Sequence, residues 1–459
     1  MEDSKKSIRT ATLIVATLGA FLTPFMGSSV NVALPAMAKE FSMNALLLTW
    51  IPTSYLLSSA VFLLPFGKLS DIYGKKKVFK WGIITYTIFS FLTAIANSSE
   101  LLLLFRSLHG IGSAMIFGTS VALVSSVFGT GERGKALGIT TASTYIGLSA
   151  GPFIGGILTQ HAGWRSIFFF NALLGFITLA VLLWKLKGIE VETKEERFDI
   201  KGAIIYGIFI VTFMLGFSSM SKREGIFFIV LSAVCFWIFL KTEEGEKNPM
   251  LNIGLFKNNR VFSFSNLATF IHYSASYSVG FLLSLYLQFI KGLDARTAGL
   301  ILMVRPVVMA IFSPFIGRAS DKIEPRVFAS SGMALTAFCF FLFAFLREET
   351  SVSLIMLNLL LHGIGFALFA SPNTNAVMSA VEKKNYGVAS ATLATMRLTG
   401  QMFSMGIATL VISAIAGREK VTPATFHLLM KSINISMGIS TALCTAGIFA
   451  SLARGNIRE

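Results

Sequence analysis

The sequence predicts an all-α polytopic membrane protein with 14 transmembrane helices, arranged as two six-helix bundles plus two inserted helices. Three observations predict it: an apolar, charge-poor composition, a series of long apolar runs, and motifs that recur in register far along the chain. Of 459 residues, 54% are hydrophobic and only 14% charged, with a mean hydropathy of +0.71. Soluble domains carry about 25% charged residues, and so few charges cannot coat a soluble core of this size. Cys235, Cys339 and Cys444 each sit in an apolar run, which excludes a disulfide scaffold. The net charge of +16 is scattered in short clusters between apolar runs, which excludes a nucleic-acid surface.

A membrane core of about 30 Å needs roughly 20 apolar residues per helix. Fourteen runs meet that length: 10–36, 46–66, 78–96, 101–124, 136–160, 165–184, 200–220, 225–240, 261–289, 297–316, 327–346, 352–376, 387–414 and 433–453. They are about twice the length of a membrane strand and lack alternation, so they are helices. The first is not expected to be a cleaved signal, because it is long, contains Pro24 and Asn31, and leads directly into further spans. With the N-terminus inside, 26 Lys and Arg fall in cytoplasmic segments against 10 in the opposite loops. That bias places both termini in the cytoplasm. The basic excess is accounted for by topology and anionic lipid.

Internal repetition sets the domain plan. Leu108-His109-Gly110-Ile111-Gly112 recurs 253 positions later as Leu361-His362-Gly363-Ile364-Gly365. The stretch from Gly67 through Asp71 and Gly74 to Lys75 and Lys76 is echoed from Gly317 through Asp321 to Arg326, at an offset of 250. Two motifs at nearly one offset indicate a duplicated unit. The expected domains are a first bundle at 1–188, two linker helices with flanking charged loops at 189–258, and a second bundle at 259–459. The stretches 185–201 and 241–260, charged and short of apolar runs, read as cytoplasmic linkers.

These residues resemble the major facilitator superfamily. The Gly67–Lys77 loop is similar to its signature of glycine, aspartate, glycine and basic run. Arg106, Gly110, Gly112 and Ala114 resemble its arginine–glycine motif, and Gly147, Gly151, Pro152, Gly155 and Gly156 its antiporter motif. Val30-Asn31-Val32-Ala33-Leu34-Pro35 is similar to the first-span motif of the 14-span drug/proton antiporter branch. Met26 stands where that branch usually carries an aspartate, Ile72 where a basic residue is common, and Glu324 replaces a glycine in the second loop. The resemblance implies that spans 1, 4, 9 and 12 line a central cavity, and that transport runs by proton antiport.

Within that frame the candidate gating residues are Gly67, Asp71, Gly74, Lys75, Lys76, Gly317, Asp321 and Arg326. A carboxylate at Asp71 suits a latch that caps a helix and pairs with basic residues, although a solvated turn has the same composition. Gly147, Gly151 and Gly155 lie four apart on one face and suit close helix packing, and Pro152 permits a bend. Arg106, Arg305 and Arg397 lie inside spans at a cost of roughly 2.5–3.5 kcal/mol each on insertion scales. All acidic residues fall in loops or at span ends, so the arginines must be met by helix carbonyls, water or a bound anion. The titrating candidates are therefore His109, His272 and His362, and the further pathway candidates are Asn31, Tyr273 and Tyr277. The chain's 43 Phe and 18 Met suit an adaptable pocket, although most must pack between helices or against lipid.

The leading expectation is a secondary active exporter of amphipathic small molecules. A dedicated exporter of an anionic or zwitterionic metabolite and a non-transporting receptor are the alternatives. The chain carries no HExxH or phosphate-loop motif, so no enzyme activity, metal or cofactor is expected beyond the proton gradient. Its expected partners are a small-molecule substrate and membrane lipid, with no nucleic acid. It is expected to be a monomer in the plasma membrane.

Overall fold

A computed structural model describes residues 2–128, 132–186, 198–220, 223–246, 248–320, 322–382, 385–417 and 419–456. The described chain is helical throughout, with one isolated antiparallel bridge between Asn44 and Lys420. The first six helices are α1 (Glu2–Phe41), α2 (Ala45–Tyr73), α3 (Lys75–Ala94), α4 (Ser99–Val127), α5 (Arg133–Ala162) and α6 (Arg165–Lys185). Next come α7 (Ile200–Ser218), α8 (Arg223–Gly245) and the short α9 (Ile253–Asn258). The remainder are α10 (Arg260–Ser276), α11 (Ser278–Leu285), α12 (Ala295–Leu302), α13 (Val304–Ser320), α14 (Pro325–Phe343), α15 (Val352–Ser379), α16 (Tyr386–Ile415) and α17 (Phe426–Ala453).

Local chemistry sets the helix starts. Asn44, Ser98, Asp199, Asn252, Asn259, Asp294 and Ser351 each accept a backbone N–H three residues ahead, satisfying a donor the first turn leaves free. Gly74, at φ 95°, makes the sharp turn between α2 and α3, a backbone region costly to residues with a Cβ.

Two expected spans are interrupted. The run 261–289 bends at Tyr277, between α10 and α11, and finishes in a π-turn at Tyr286–Ile290. The cause of the bend is a side chain inserted in the ladder: Ser404 Oγ accepts the Ser278 N–H at 3.0 Å. The run 297–316 breaks at Met303, between α12 and α13. Pro306 explains that break, since its ring clashes with the carbonyl four residues back at Leu302. Among the described residues, eleven helices are long and apolar enough to cross a membrane. The segments α3, α5 and α10–α11 are not among the eleven. A lysine-rich start, a Gly/Ser/Thr-rich sequence and the Tyr277 bend separate these three from the rest.

Packing repeats along the chain. In the first group α1 packs on α5, α4 and α6, while α3 packs on α4 and α6, and α2 on α4. In the second, α10 packs on α16, α15 and α17, while α14 packs on α15 and α17, and α13 on α15. The correspondence extends to single atoms. A Cβ on Gly110 would collide with Tyr55 O, and one on Gly363 would lie 2.7 Å from Arg305 O. A Cβ on Gly82 would lie 3.1 Å from Ile116 N, and one on Gly332 2.7 Å from Phe369 N. For Gly147 the neighbour is Phe21 O at 2.6 Å, and for Gly400 it is Phe270 O at 2.7 Å. Glycine is needed at each because a helix backbone occupies the space of its side chain.

Helices α7 and α8 pack on each other, and α7 also contacts α2 and α16. An apolar cluster of Ala60, Leu64, Tyr206, Phe239, Leu251 and Met402 joins them to both groups. The stretches that flank them carry two buried acidic side chains, Asp199 and Glu243.

Candidate functional site

The three intramembrane arginines all turn into protein and are met by neutral groups. Arg106 on α4 is fully buried; its Nε donates to Ile51 O at 3.3 Å, and its guanidinium lies 4.4 Å over the Tyr55 ring. One Arg106 nitrogen reaches His109 Nδ1 at 3.4 Å. The His109 ring lies 4.1 Å from that of Tyr86, whose hydroxyl donates to Leu22 O at 2.8 Å and accepts from Asn171 Nδ2 at 3.0 Å. Tyr55 Oη donates to Ser113 Oγ at 2.7 Å. Arg106, His109 and Ser113 thus meet in a single polar knot in the first group. Tyr55 and Tyr86 complete the knot. The sequence reading missed both, because an isolated tyrosine in an apolar run carries no periodic signal.

The second group holds a wider counterpart. Arg305 donates to Ser276 O at 3.2 Å and lies 5.1 Å over the Phe366 ring. Arg397 donates to Thr374 Oγ1 at 2.7 Å and lies 5.9 Å over Tyr273. His272 stacks on Phe369 at 4.1 Å and stands 4.9 Å from Phe366, while His362 meets the edge of Phe340 at 4.8 Å. Both ring nitrogens of His272 and of His362 are buried without a hydrogen-bond partner in the protein, as are Arg305 Nε and Arg397 Nε. None of the three arginines makes an ion pair among the described residues, in line with compensation by carbonyls, hydroxyls and aromatic faces. Tyr145 of α5 packs against Met309, Phe366 and Ala370, so the first group contributes to this region as well. The Tyr277 hydroxyl faces Gly27 of α1, 3.5 Å from where a Cβ would be. A group of three or more His, Cys, Asp or Glu that could hold a metal does not occur among the described residues.

The two groups are joined at the end where α1 finishes. Ser284 Oγ donates to Asn31 O at 2.6 Å, and Gln288 Nε2 donates to Val32 O at 3.0 Å. Ala45 N–H donates to Glu419 O at 3.1 Å, beside the Asn44–Lys420 bridge. Of the antiporter-like glycines, Gly147, Gly151 and Gly155 press α5 onto α1, at Phe21, Ser28 and Ser29. Gly156 faces the other way, its missing Cβ lying 2.6 Å from Ala295 O of α12, while Gly299 seats against Pro152 O. At the opposite end of α5 a Cβ on Gly138 would meet nothing within 4 Å, and the same holds for Gly67 and Gly387. A cavity of about 550 Å³ lies at the joined end, lined by Lys39, Gln160, Gln288, Asp294 and Lys420 among others.

The gating loop is built locally. Asp71 pairs with Lys75 at 3.9 Å, and α3 has no side-chain cap, so the carboxylate bridges the turn without capping that helix. Lys76 donates to Leu186 O and ties the start of α3 to the end of α6. Ser70 Oγ donates to Gly67 O at 2.7 Å, and Ser320 Oγ donates to Gly317 O at 2.7 Å. Arg326 donates to Asn456 Oδ1 at 3.2 Å, and Asp321 lies outside the described residues.

Comparison with known proteins agrees with this geometry. The family model of the Major Facilitator Superfamily matches residues 16–262 and 266–456. The riboflavin transporter RibZ of Clostridioides difficile (strain 630) is 28% identical over 444 residues, covering 96% of each chain. The multidrug resistance protein Stp of Mycobacterium tuberculosis (strain CDC 1551 / Oshkosh) is 29% identical over 413 residues, 88% of this chain and 76% of that one. Among solved structures, an auto-inhibited POT family peptide transporter superposes with a TM-score of 0.69 at 15% identity, covering 97% and 96% of the two chains. A bacterial homologue of the human lysosomal transporter Spinster, in an inward-facing and occupied conformation, gives 0.66 at 17% identity, covering 97% of each.

The chain belongs to the major facilitator superfamily, whose members are transporters, and it is a multi-pass membrane protein.

Proposed function

We propose that this transporter exports amphipathic small molecules in exchange for protons, by alternating access between two six-helix bundles. In this reading there are fourteen spans, with α10–α11 and α12–α13 each counted as one interrupted helix. Residues 1–188 and 259–459 are the moving bundles, and α7 and α8 are the insert. Both termini face the cytoplasm of a plasma-membrane protein, and the end sealed by Asn31, Ser284 and Gln288 is the outer one.

The observation that carries the reading is the one-ended seal. Hydrogen bonds at Asn31 and Val32 and two glycine contacts, Gly156 on Ala295 and Gly299 on Pro152, join the bundles at one end, beside the packing of α2 on α16 and of α5 on α12 and α13. The candidate site draws on both groups, with Arg106 in the first and Arg305 and Arg397 in the second. Broad aromatic faces supply shape-tolerant contact, and multidrug resistance proteins are among the relatives. His272 and His362, buried with unpartnered nitrogens, are the proton carriers in this reading, and Asp71 acts as a gate.

A second reading has its own support. Three guanidiniums without carboxylate partners suit a dedicated anionic or zwitterionic solute. Uptake into everted vesicles under an imposed pH gradient tests both, with cationic, neutral and anionic compounds as probes. Gradient-driven uptake of several chemically unrelated compounds supports drug-type export. Uptake confined to one anionic class supports the second reading, and gradient-independent flux overturns proton antiport.

A further inference from the structure

Among the described residues, Asp199 and Glu243 are the buried acidic side chains, neither the transport path nor the gating loop uses them, and they face each other. Asp199 is the N-cap of α7: its Oδ1 accepts the Gly202 N–H at 2.9 Å, and its Oδ2 is buried without a partner. Glu243 lies in the last turn of α8; its Oε2 accepts the Leu251 N–H at 2.8 Å, and its Oε1 is buried without a partner. Their exposures are 9% and 2%. The two unpartnered oxygens converge on one point. A Cβ on Gly202 would collide with Asp199 Oδ2 and stand 2.8 Å from Glu243 Oε1. Glycine at this position leaves the gap between the carboxylates open.

Among the described residues, no cation fills that gap. The charged groups among those residues on the elements packed around it are Lys68 and Asp71 on α2, Lys201 on α7, Lys241 and Glu244 beside Glu243 on α8 with Arg223 and Glu224 at that helix's far end, Lys257 on α9, and Arg397 on α16. Lys257 and Lys241 are drawn to Glu244, at 2.7 and 3.6 Å. Lys75 pairs with Asp71, Arg397 donates to Thr374, and Lys201 is exposed. Lys68 is half-buried near the end of α2 and has an interaction of its own. Two buried carboxylates held this close repel each other, which favours a proton on one of them.

We propose that Asp199 and Glu243 form a proton-binding pair that fastens the segment before α9 to the inserted helices. One proton shared between Oδ2 and Oε1 leaves a single negative charge, and Glu243 keeps its bond to the Leu251 N–H. When that proton passes to bulk water the two charges repel, Glu243 turns outward, and the bond to Leu251 is lost. Leu251 also packs with Ala60, Tyr206, Phe239 and Met402. The fastening therefore sits where α2, α7, α8 and α16 converge, and the insert becomes a pH sensor for the packing of both bundles. This role is separate from the transported proton, and its test needs no substrate.

The test uses the full chain in proteoliposomes, with a Met250→Cys reporter read by maleimide labelling and peptide mass spectrometry. The maleimide reacts with the thiolate, so every labelling rate is normalised to that of a free thiol at the same pH. With Asp199 and Glu243 intact, the normalised labelling should be slow at acidic pH and rise at alkaline pH. Adding E243Q, which keeps an acceptor for Leu251, should hold it slow throughout and abolish the pH dependence. Adding Glu243→Ala should make it fast throughout. In infrared difference spectra between the same pH values, a protonated-carboxyl C=O band should be present in the wild type and lost in E243Q and D199N. Labelling independent of pH with the pair intact, pH dependence retained in E243Q, or a band surviving in both variants would each overturn the proposal. Vesicle flux through E243Q should be retained, and absence of flux in the wild type would bear on export alone.

Discussion

At the residue scale the costly side chains were legible and their partners were not. An arginine inside an apolar run stands out because of its insertion cost, so Arg106, Arg305 and Arg397 could be singled out from the sequence. That Ile51 O, Ser276 O and the Thr374 hydroxyl receive them depends on which helix turn lies opposite, which no local pattern encodes. The buried Asp199–Glu243 pair was missed for the reverse reason: each residue sits in a charge-rich stretch that reads as a linker. The partners fix what substitution should do. Arg106→Lys keeps the charge but cannot span both Ile51 O and His109, and it gives up the flat stack on Tyr55. It should lower stability by about 1–3 kcal/mol, the cost of leaving buried polar groups unsatisfied, read as a lower thermal midpoint in detergent. Arg397→Gln has a half-buried site and a single hydroxyl partner. It should leave the midpoint nearly unchanged while abolishing vesicle uptake of anionic or zwitterionic substrates, and unaltered uptake would remove Arg397 from the path.

At the element scale, helix existence was legible from apolar run length, and helix continuity was not. Pro306 is visible in the sequence, and its consequence at Met303 follows from the missing N–H. The bend at Tyr277 depends on Ser404, contributed by α16 from more than a hundred residues away. The glycines of α5 were legible as a packing face, but which helix each one meets was not. Space decides their tolerance. Gly151→Ala would collide with Ser28 Oγ and stand 2.9 Å from Phe25 O, so it should destabilise by about 1–3 kcal/mol through overpacking. Gly138→Ala meets open space and should be neutral or stabilising by up to about 1 kcal/mol through helix propensity. Thermal melts of the two variants side by side would check the contrast. The cap of α12 adds a pH dependence. Asp294 accepts the Thr297 N–H at 2.7 Å, and that bond holds its carboxyl below the ordinary range. A lowered folded-state pKa stabilises the fold above the ordinary value and is lost as pH falls through the lowered one. Asp294→Ala should therefore cost about 0.5–2 kcal/mol near neutrality, with the difference from wild type shrinking in acid, measured by melts across pH.

At the scale of the whole molecule, duplication was legible from two motifs, and the helix packing extends it to helix pairs and close backbone approaches that those motifs do not contain. Gly147 and Gly400, or Tyr55 and Arg305, could be matched only once a shared backbone neighbour was visible. The conformation was not legible at all. A sequence that must visit two states carries the contacts of both, and nothing in it marks which set is made at a given moment. The set made here joins Asn31, Val32 and Ala45 to Ser284, Gln288 and Glu419. If these contacts are a seal that opens in each cycle, fixing them should stop transport without harming the fold. The Asn44–Lys420 bridge is the place to do so, because residues directly opposite in an antiparallel bridge lie about 4.5–5.5 Å apart at Cα, within disulfide range. Cys235, Cys339 and Cys444 are all buried and should not compete for oxidation. The double variant Asn44→Cys with Lys420→Cys should therefore cross-link on mild oxidation and lose flux. Flux should return on reduction, while each single variant retains activity, with Asn44→Cys losing about 1 kcal/mol of stability from its lost cap. Full flux through the cross-linked protein would mean that this end never opens, and alternating access about this seal would have to be abandoned.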